Sequence, residues 1–148
     1  MTVFSHPLIR RIEVRDFKAV AEMTNRHFPH MNMTPSKISE RLSKGFSYFV
    51  AVVDRIIVGF VDVKITEKYA KLMGLAVEEK FRGSGVGSAL LDKAIEFAIA
   101  RGKNAIYLKV KQSNLPAIKV YERRGFVFSK ELDKNGESTY ILSRKLET

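Results

Sequence analysis

The segment Leu75-Ala-Val-Glu-Glu-Lys-Phe-Arg-Gly-Ser-Gly-Val-Gly-Ser-Ala-Leu-Leu91 decides the fold. Its first residues are apolar and end a predicted strand, whereas the apolar residues after Gly87 recur at helical spacing. Three glycines, at positions 83, 85 and 87, lie between these two elements. Because glycine has no Cβ atom, its backbone N–H group can approach a ligand closely, and a helix N-terminus attracts negative charge. The segment therefore predicts a strand, a turn that can bind a phosphate, and a long helix.

Two common phosphate-binding motifs do not fit this turn. A P-loop needs Gly-Lys followed by Ser or Thr, and no such run follows Gly87. The dinucleotide motif needs a different glycine spacing and an acidic residue about 20 positions later. The sequence offers Lys103, Asn104 and Lys109 in that region instead. The phosphate is therefore expected to belong to another class of ligand.

Turn and cap signals divide the rest of the chain into strands and helices. Thr34-Pro35 predicts a helix start, Gly102 a helix end, and the Asn-Gly pair within residues 133–136 a hairpin turn. Strands are predicted over residues 9–14, 46–53, 56–66, 69–77, 105–110, 126–132 and 138–146. Helices are predicted after Asp16, which would cap the first, after Thr34, after the glycine turn, and from Asn114 to Gly125.

The resulting order is β-α-α-β-β-β-α-β-α-β-β, an α/β (α+β) class with a mixed central sheet of about seven strands and four helices. The long helix connects two strands as a right-handed βαβ crossover, which makes those strands parallel. Strict alternation along residues 69–77 predicts two faces. One face carries Ala70, Leu72, Gly74 and Ala76, and the other carries Lys71, Met73, Leu75 and Val77.

Composition narrows the function classes. The chain has 148 residues, 45% hydrophobic and 28% charged, and no linker-like stretch divides it, so residues 1–148 are expected to form one domain. It contains no cysteine, which excludes disulfides, thiolate metal sites and cysteine nucleophiles. No apolar run approaches the roughly 20 residues needed to cross a bilayer, and the first residues do not match a signal-peptide pattern, so we expect no membrane partner and a cytoplasmic location. A formal net charge of +10 predicts attraction to anionic partners.

The segment from Leu75 to Leu91 resembles motif A of the GCN5-related N-acetyltransferases (GNAT), whose core is Arg/Gln-x-x-Gly-x-Gly/Ala. Arg82, Gly85 and Gly87 match that core. Downstream, Leu108-Lys-Val-Lys-Gln-Ser-Asn114, Ala117, Tyr121 and Gly125-Phe126 are similar to motif B of the family. The resemblance spans nearly the whole chain and implies the GNAT fold. It also implies an enzyme that transfers the acetyl group of acetyl-CoA directly to a primary amine.

The resemblance implies a role for particular residues. Backbone amides of the glycine turn would hold the pyrophosphate of acetyl-CoA, namely those of Arg82, Gly83, Ser84, Gly85, Val86, Gly87 and Ser88. The pantetheine arm would lie beside Leu75, Ala76 and Val77, which requires that strand to separate from the next one. Asn114 would contact the cofactor arm, although an Asn there also suits a helix N-cap. Tyr121 would protonate the departing thiolate, the alternative being a tyrosine packed in the core.

The general base stays unassigned. In bacterial family members that acetylate protein N-termini, a glutamate five residues before the Asn accepts the proton, and Lys109 stands at that position here. A tyrosine-rich segment before the last strand is also absent from the sequence. The remaining acidic candidates are Asp62 and Glu67, and Asp62 is interpreted as a surface acid of its strand. A water relay to solvent would serve equally well.

The acceptor is not identified, but these departures favour a small-molecule amine over a protein lysine or N-terminus. In the family the acceptor is walled by residues 25–33 of this chain, where Phe28, His30, Met31 and Met33 form either an apolar rim or part of the core. Three histidines without nearby acid pairs predict no metal site. A non-catalytic CoA sensor is a more distant alternative. No nucleic-acid motif accompanies the positive charge, and the family resemblance allows a homodimer through the final hairpin.

Overall fold

The computed structural model describes residues 6–134 and 136–146, with a seven-stranded sheet and four helices. The strands are β1 (Leu8–Arg11), β2 (Phe46–Val53), β3 (Ile56–Ile65), β4 (Ala70–Val77), β5 (Ala105–Lys111), β6 (Val127–Lys134) and β7 (Glu137–Lys145). The helices are α1 (Phe17–His27), α2 (Pro35–Leu42), α3 (Val86–Ala100) and α4 (Leu115–Arg123). The predicted element order, mixed sheet and fold class are therefore confirmed.

The sheet has the order β1-β2-β3-β4-β5-β7-β6. The β4–β5 pair is parallel and the other neighbouring pairs are antiparallel, as expected when a helical crossover joins only those two strands. The hairpin between β6 and β7 was predicted to turn at residues 133–136. Asn135 of that turn lies outside the described residues, and Gly136 adopts a positive φ of 77°.

Two apolar layers cover the faces of the sheet. On one face, buried residues of α3, including Leu90, Leu91 and Ala94, form one cluster with β2–β5 and with Tyr121 of α4. On the other face, Val20 of α1 and Ile38 of α2 belong to a smaller cluster with β2, β3 and the end of β4. The α1–α2 layer therefore covers the first half of the sheet. Among the described helices, none belongs to an apolar cluster on that same face of β5, β6 and β7.

Helix starts follow the predicted cap chemistry at α2 and α4. The Thr34 side chain accepts a hydrogen bond from the Lys37 amide at 3.1 Å, with proline at the first helical position. Asn114 Oδ1 accepts from the Ala117 amide at 3.3 Å in the same way.

The predicted cap of α1 is wrong. Asp16 makes no side-chain bond to the amides of that helix. Its carboxylate instead binds the Arg10 guanidinium at 2.6 and 3.0 Å and the Glu13 amide at 2.8 Å. The first strand is also shorter than predicted, because Val14 belongs to a 3-10 turn over Val14–Asp16 that uses this carboxylate.

A β-bulge in β4 reverses the faces of its second half. Asp62 of β3 lies opposite Gly74 while Val63 lies opposite Leu72, so Met73 is the extra residue. Ala70 and Leu72 face the α3 layer, but beyond the bulge Ala76 packs with α1 and α2, while Leu75 and Val77 pack on the α3 side. The prediction of unbroken alternation from Ala70 to Val77 is therefore wrong after Met73.

Within the described ranges, none of the helices combines the length and the apolar character that crossing a membrane would need.

Candidate active site

The glycine turn leads directly into α3. Gly83 and Gly85 have positive φ angles of 77° and 90°, a backbone conformation that favours glycine. A Cβ atom at either position would meet no other atom within 4 Å, so the space above the turn is open. Gly85 is the N-cap residue of α3, and no side chain caps the first amides of that helix. The sequence prediction of an accessible, anion-attracting helix start fits this geometry.

A slot opens between β4 and β5 close to this turn. The two strands pair only at Ala70–Ile106, Lys71–Tyr107 and Leu72–Leu108, although both continue further. The Glu78 amide donates to Val58 of β3, so by alternation the amides of Leu75 and Val77 point away from β3 and into the slot. Backbone groups in the second half of β4 therefore face an open edge in the middle of the sheet.

Arg82 lies at the outer end of the slot. Its side chain is exposed, and its Nε donates to the Val77 carbonyl at 3.3 Å. Ser84 donates its hydroxyl to the Phe81 carbonyl, which helps close the turn between β4 and α3. Val86 is buried against the α3-side core, whereas Gly87 and Ser88 are half-buried at the start of the helix.

Tyr121 lies on the buried side of α4. It is 9% exposed and packs edge-to-face with Phe126 at a ring-centroid distance of 5.8 Å. Its hydroxyl makes no hydrogen bond to any described residue, so it remains available as a donor. Burial raises the pKa of Tyr121 to about 12, which keeps the phenol protonated at neutral pH. Asn114 caps the same helix through its side-chain oxygen, and its side-chain amide N–H groups donate to none of the described residues.

A cavity of about 150 Å³, named here the Asp62 cavity, lies between the α1–α2 connection and the bulge of β4. Phe28, His30, Met31 and Met33 from that connection contribute to its walls. They meet Asp62, Arg41, Tyr48, Met73 and Gly74 across the cavity. The predicted rim residues therefore surround a polar centre, although Met33 is also buried in the core.

Asp62 is a buried acid, and its interpretation as a surface residue is wrong. It is 3% exposed, and its Oδ2 lies 2.7 Å from the Arg41 guanidinium. The Tyr48 hydroxyl accepts a bond from Arg41 Nε at 2.9 Å. Burial raises the pKa of Asp62 to about 6, although Arg41 and the Gly74 amide both stabilise its ionised form. Burial likewise raises the pKa of Tyr48.

The Asp62 carboxylate explains why Gly74 is a glycine. A Cβ atom at position 74 would lie 2.8 Å from Asp62 Oδ1, closer than van der Waals contact allows. The Gly74 amide also stabilises the ionised form of this carboxylate and so lowers its pKa. Sequence reasoning missed Arg41 and Tyr48, because nothing in the local sequence links these residues to an acid on β3.

A larger cavity of about 530 Å³, named here the basic cavity, lies on the sheet face that α1 and α2 leave open. Lys71, Lys109 and Lys130 line it, together with Tyr69 and Tyr107, whose rings pack edge-to-face at 5.1 Å. Met73 lines both cavities, so they share a wall at the bulge. Glu67, the other acidic candidate, is exposed and lines neither cavity.

The described residues contain no group of three or more His, Asp or Glu side chains arranged to hold a metal ion. His30 lines the Asp62 cavity. His27 is the last residue of α1, and its Nε2 lies 3.8 Å from Glu78 Oε1. The two histidines that are three residues apart therefore have separate surroundings.

A mixed sheet that opens at its parallel pair, beside an uncapped glycine turn, defines the class of proteins with an N-acetyltransferase fold. A family model described as Acetyltransferase (GNAT) family matches residues 11–126. The chain therefore belongs to the GNAT acetyltransferase family and is an acetyltransferase. Enzymes of this family use acetyl-CoA as co-substrate and bind an acceptor.

Two curated relatives and one solved structure illustrate the similarity. The chain is 31% identical over 119 residues to an N-alpha-acetyltransferase of Saccharolobus solfataricus, covering 69% of this chain and 71% of that protein. It is 27% identical over 161 residues to the L-amino acid N-acetyltransferase AaaT of Escherichia coli, covering 95% and 98%. The crystal structure of Ard1 from Thermoplasma volcanium superposes with a TM-score of 0.84 at 24% identity, covering 97% and 100%.

Proposed function

We propose that this enzyme transfers the acetyl group of acetyl-CoA directly to the primary amine of a small molecule. The observation that carries the proposal is the open slot between β4 and β5, which ends beside the uncapped start of α3. A thioester ligand with a phosphorylated tail suits this arrangement, because the tail can meet the helix amides while the arm lies in the slot. The similarity to an L-amino acid N-acetyltransferase supports a small acceptor.

In this proposal the backbone amides from Arg82 to Ser88 hold the pyrophosphate. Gly83 and Gly85 leave room for its close approach, since no atom lies within 4 Å of a Cβ placed there. Backbone groups of Leu75, Ala76 and Val77 pair with the pantetheine arm as a neighbouring strand would. Asn114 contacts the arm through its side-chain amide N–H groups while its oxygen caps α4.

Tyr121 is the proposed general acid. Acetyl-CoA supplies a thioester carbon that an amine nitrogen can attack, and the bond to sulfur then breaks with its electron pair on sulfur. Tyr121 donates its hydroxyl proton to that sulfur, a role for which its hydroxyl is available because it stays protonated at neutral pH and makes no hydrogen bond to a described residue. Direct transfer needs no covalent enzyme intermediate, in keeping with a chain that lacks cysteine.

The acceptor amine is proposed to enter from the face that carries the two cavities. Asp62 shapes this region but is a poor base, because its buried carboxylate is already paired with Arg41. The proton of the amine is therefore proposed to leave to solvent through the open basic cavity. The proposed acceptor chemistry needs no metal.

The test measures thiol release from acetyl-CoA with a panel of amines and peptides, for the wild type and Tyr121→Phe. Tyr140→Phe is the matched control, because Tyr140 also packs edge-to-face on a phenylalanine, Phe128, but on the final hairpin. Loss of Tyr121 should lower kcat at least about tenfold without weakening acetyl-CoA binding. An equal effect of both substitutions would contradict the role of Tyr121.

A second candidate is acetylation of protein N-termini, favoured by the similarity to an N-alpha-acetyltransferase. Turnover of peptides but not of free amines would select it. Acetyl-CoA binding without turnover on any acceptor would favour a CoA sensor, and absence of binding would refute the glycine-turn assignment.

We also propose that residues 1–148 form one domain, since the single sheet runs from Leu8 to Lys145. The cytoplasmic location and the homodimer stay predictions of the sequence.

A further inference from the structure

We infer that the basic cavity binds the carboxylates of the acceptor, and that the acceptor is an acidic amino acid such as aspartate or glutamate. This inference rests on the proposed function and adds the chemical class of the amine. It comes from where three lysines lie on the sheet and from what surrounds them.

The strand register places the three lysines on one face. Lys109 of β5 lies opposite Ile141 of β7, and Ile141 lies opposite Lys130 of β6. Residues in register on neighbouring strands point to the same side, so Lys109 and Lys130 lie on either side of Ile141. Their Cα atoms are about 10 Å apart, because two strand spacings separate β5 from β6. Lys71 of β4 lies opposite Tyr107 of β5. Tyr107 is two residues before Lys109 and points to the same side, so Lys71 lies on this face as well. The three ammonium groups therefore approach one cavity from three strands.

These charges are not neutralised by the protein. Among the described residues, none of the three lysines forms an ion pair, and the cavity lining includes no carboxylate. Lys44 and Lys111, by comparison, pair with Glu40 and Glu137.

The nearest acid in the sequence lies on the other side of the sheet. Glu131 follows Lys130 directly and so points to the opposite face of β6, where it accepts the hydroxyl of Ser138. The cavity thus keeps a positive field that an anionic ligand would satisfy.

The size and position of the cavity suit a small acceptor. A volume of about 530 Å³ lies in the range of small-molecule sites. Met73, at the bulge of β4, forms part of its wall, so a ligand in the cavity lies next to the start of the slot. The three lysine ammonium groups carry more positive charge than one α-carboxylate neutralises, and a second carboxylate would pair with the remaining charge. An acidic amino acid supplies both carboxylates together with the amine.

The experiment compares pairs of acceptors that differ by one charge: aspartate with asparagine, and glutamate with glutamine, at saturating acetyl-CoA. We expect kcat/KM to be at least about tenfold higher for the acidic member of each pair. Lys71→Gln, Lys109→Gln and Lys130→Gln should each lower kcat/KM for aspartate about fivefold, and at least one of them, at the lysine that binds the side-chain carboxylate, should change it less than about twofold for asparagine. Lys→Arg at the same positions should restore most of the loss.

Lys18→Gln is the matched control, because Lys18 is an exposed lysine of α1 that lines neither cavity. It removes the same charge and should leave both acceptors unchanged. Loss of aspartate turnover in this control as well would assign the effect to net charge and overturn the inference.

The two levels of the proposal fail in different ways. Equal use of the acidic and amide acceptors overturns the acidic acceptor and leaves the acetyltransferase function intact. Use of peptides that begin with aspartate, with free aspartate refused, overturns the small acceptor. Absence of acetyl-CoA consumption with any amine overturns the proposed function itself.

Discussion

Lowering the pH from about 7 to about 5 should stabilise the wild-type protein relative to Asp62→Asn. The asparagine variant keeps the shape of the side chain and removes its titration. The difference in unfolding free energy between the two proteins therefore isolates the proton that Asp62 binds. Burial raises the pKa of this carboxyl from 3.8 to about 6 in the folded protein, so the folded state binds the proton more tightly than the unfolded chain.

The magnitude follows from the shift. A difference of about 2 pKa units, at about 1.4 kcal/mol each, is worth about 3 kcal/mol. That contribution is complete below the unfolded pKa of 3.8 and is lost as the pH rises through about 6. At pH 5 the carboxyl is mostly protonated in the folded state and mostly ionised in the unfolded chain. The relative gain between pH 7 and pH 5 is then about 1 kcal/mol.

Asp16→Asn is the matched control with the opposite sign. Asp16 is also 3% exposed and paired with an arginine, but the side-chain hydrogen bond from Arg10, the largest effect, lowers its pKa. Its stabilisation is present above the unfolded pKa of 3.8 and is lost as the pH falls through the lower folded value. The wild type should therefore be more stable than Asp16→Asn by a constant amount between about pH 5 and about pH 7, and should lose that advantage below about pH 4.

Urea unfolding followed by circular dichroism, at several pH values for all three proteins, gives the required free energies. A flat difference between the wild type and Asp62→Asn from pH 7 to pH 5 would refute the reasoning. A difference that stays flat down to pH 5 and then falls below about pH 4 would show that Arg41 outweighs burial and holds the folded pKa of Asp62 below 3.8. Unequal m-values would indicate that the substitution alters the unfolded or native state and would require a second variant.

Three further predictions concern residues of the proposed acetyl-CoA site. Gly85→Ala should cost about 1–2 kcal/mol of stability, because an L-residue is strained at a φ of 90°, and should weaken acetyl-CoA binding measured by calorimetry. Gly102→Ala, with a φ of 71° at the other end of α3, should show the strain without the binding loss. Asn114→Ala should lower the unfolding free energy by about 1 kcal/mol through loss of the cap on α4, whereas Asn114→Asp should retain the cap; thermal melts compare them. With the pKa of Tyr121 at about 12, the wild-type kcat should show no decline from loss of its proton between about pH 8 and about pH 10, and initial rates in that range would reveal a decline if the donor were already losing its proton.

Much of the fold could be predicted from local chemistry. Thr34 followed by proline marks the start of α2, and the glycine turn marks the start of α3, because caps and positive φ angles depend on a few neighbouring residues. The parallel β4–β5 pair followed from the helix between them. The family, recognised from motifs A and B, is confirmed. The roles of Tyr121 and of the glycine turn stay predictions, since they depend on a ligand.

The wrong predictions concern the alternation of β4 and the exposure of Asp62, which are both set by contacts with neighbouring elements. The bulge at Met73 is marked in the sequence only by the adjacent Gly74, and that sign was not used, so alternation along β4 was carried through a position where the register shifts. Asp62 looked like a surface acid because its partner, Arg41, is 21 residues away on a helix that covers the strand. Charge pairing across elements of this kind depends on packing and cannot be read from the spacing of residues along a single strand.

The separation of β4 and β5 also has a consequence for solvent exchange. Amide hydrogens in the middle of a sheet usually exchange slowly, because both neighbouring strands protect them. The amides of Leu75 and Val77 point into the slot and have no strand partner there, although their strand is central in the order of seven. They should exchange with deuterium as quickly as the amides of an edge strand, and slow markedly once a ligand's arm supplies the missing acceptors. Deuterium exchange at these two amides would therefore show whether the slot holds a ligand.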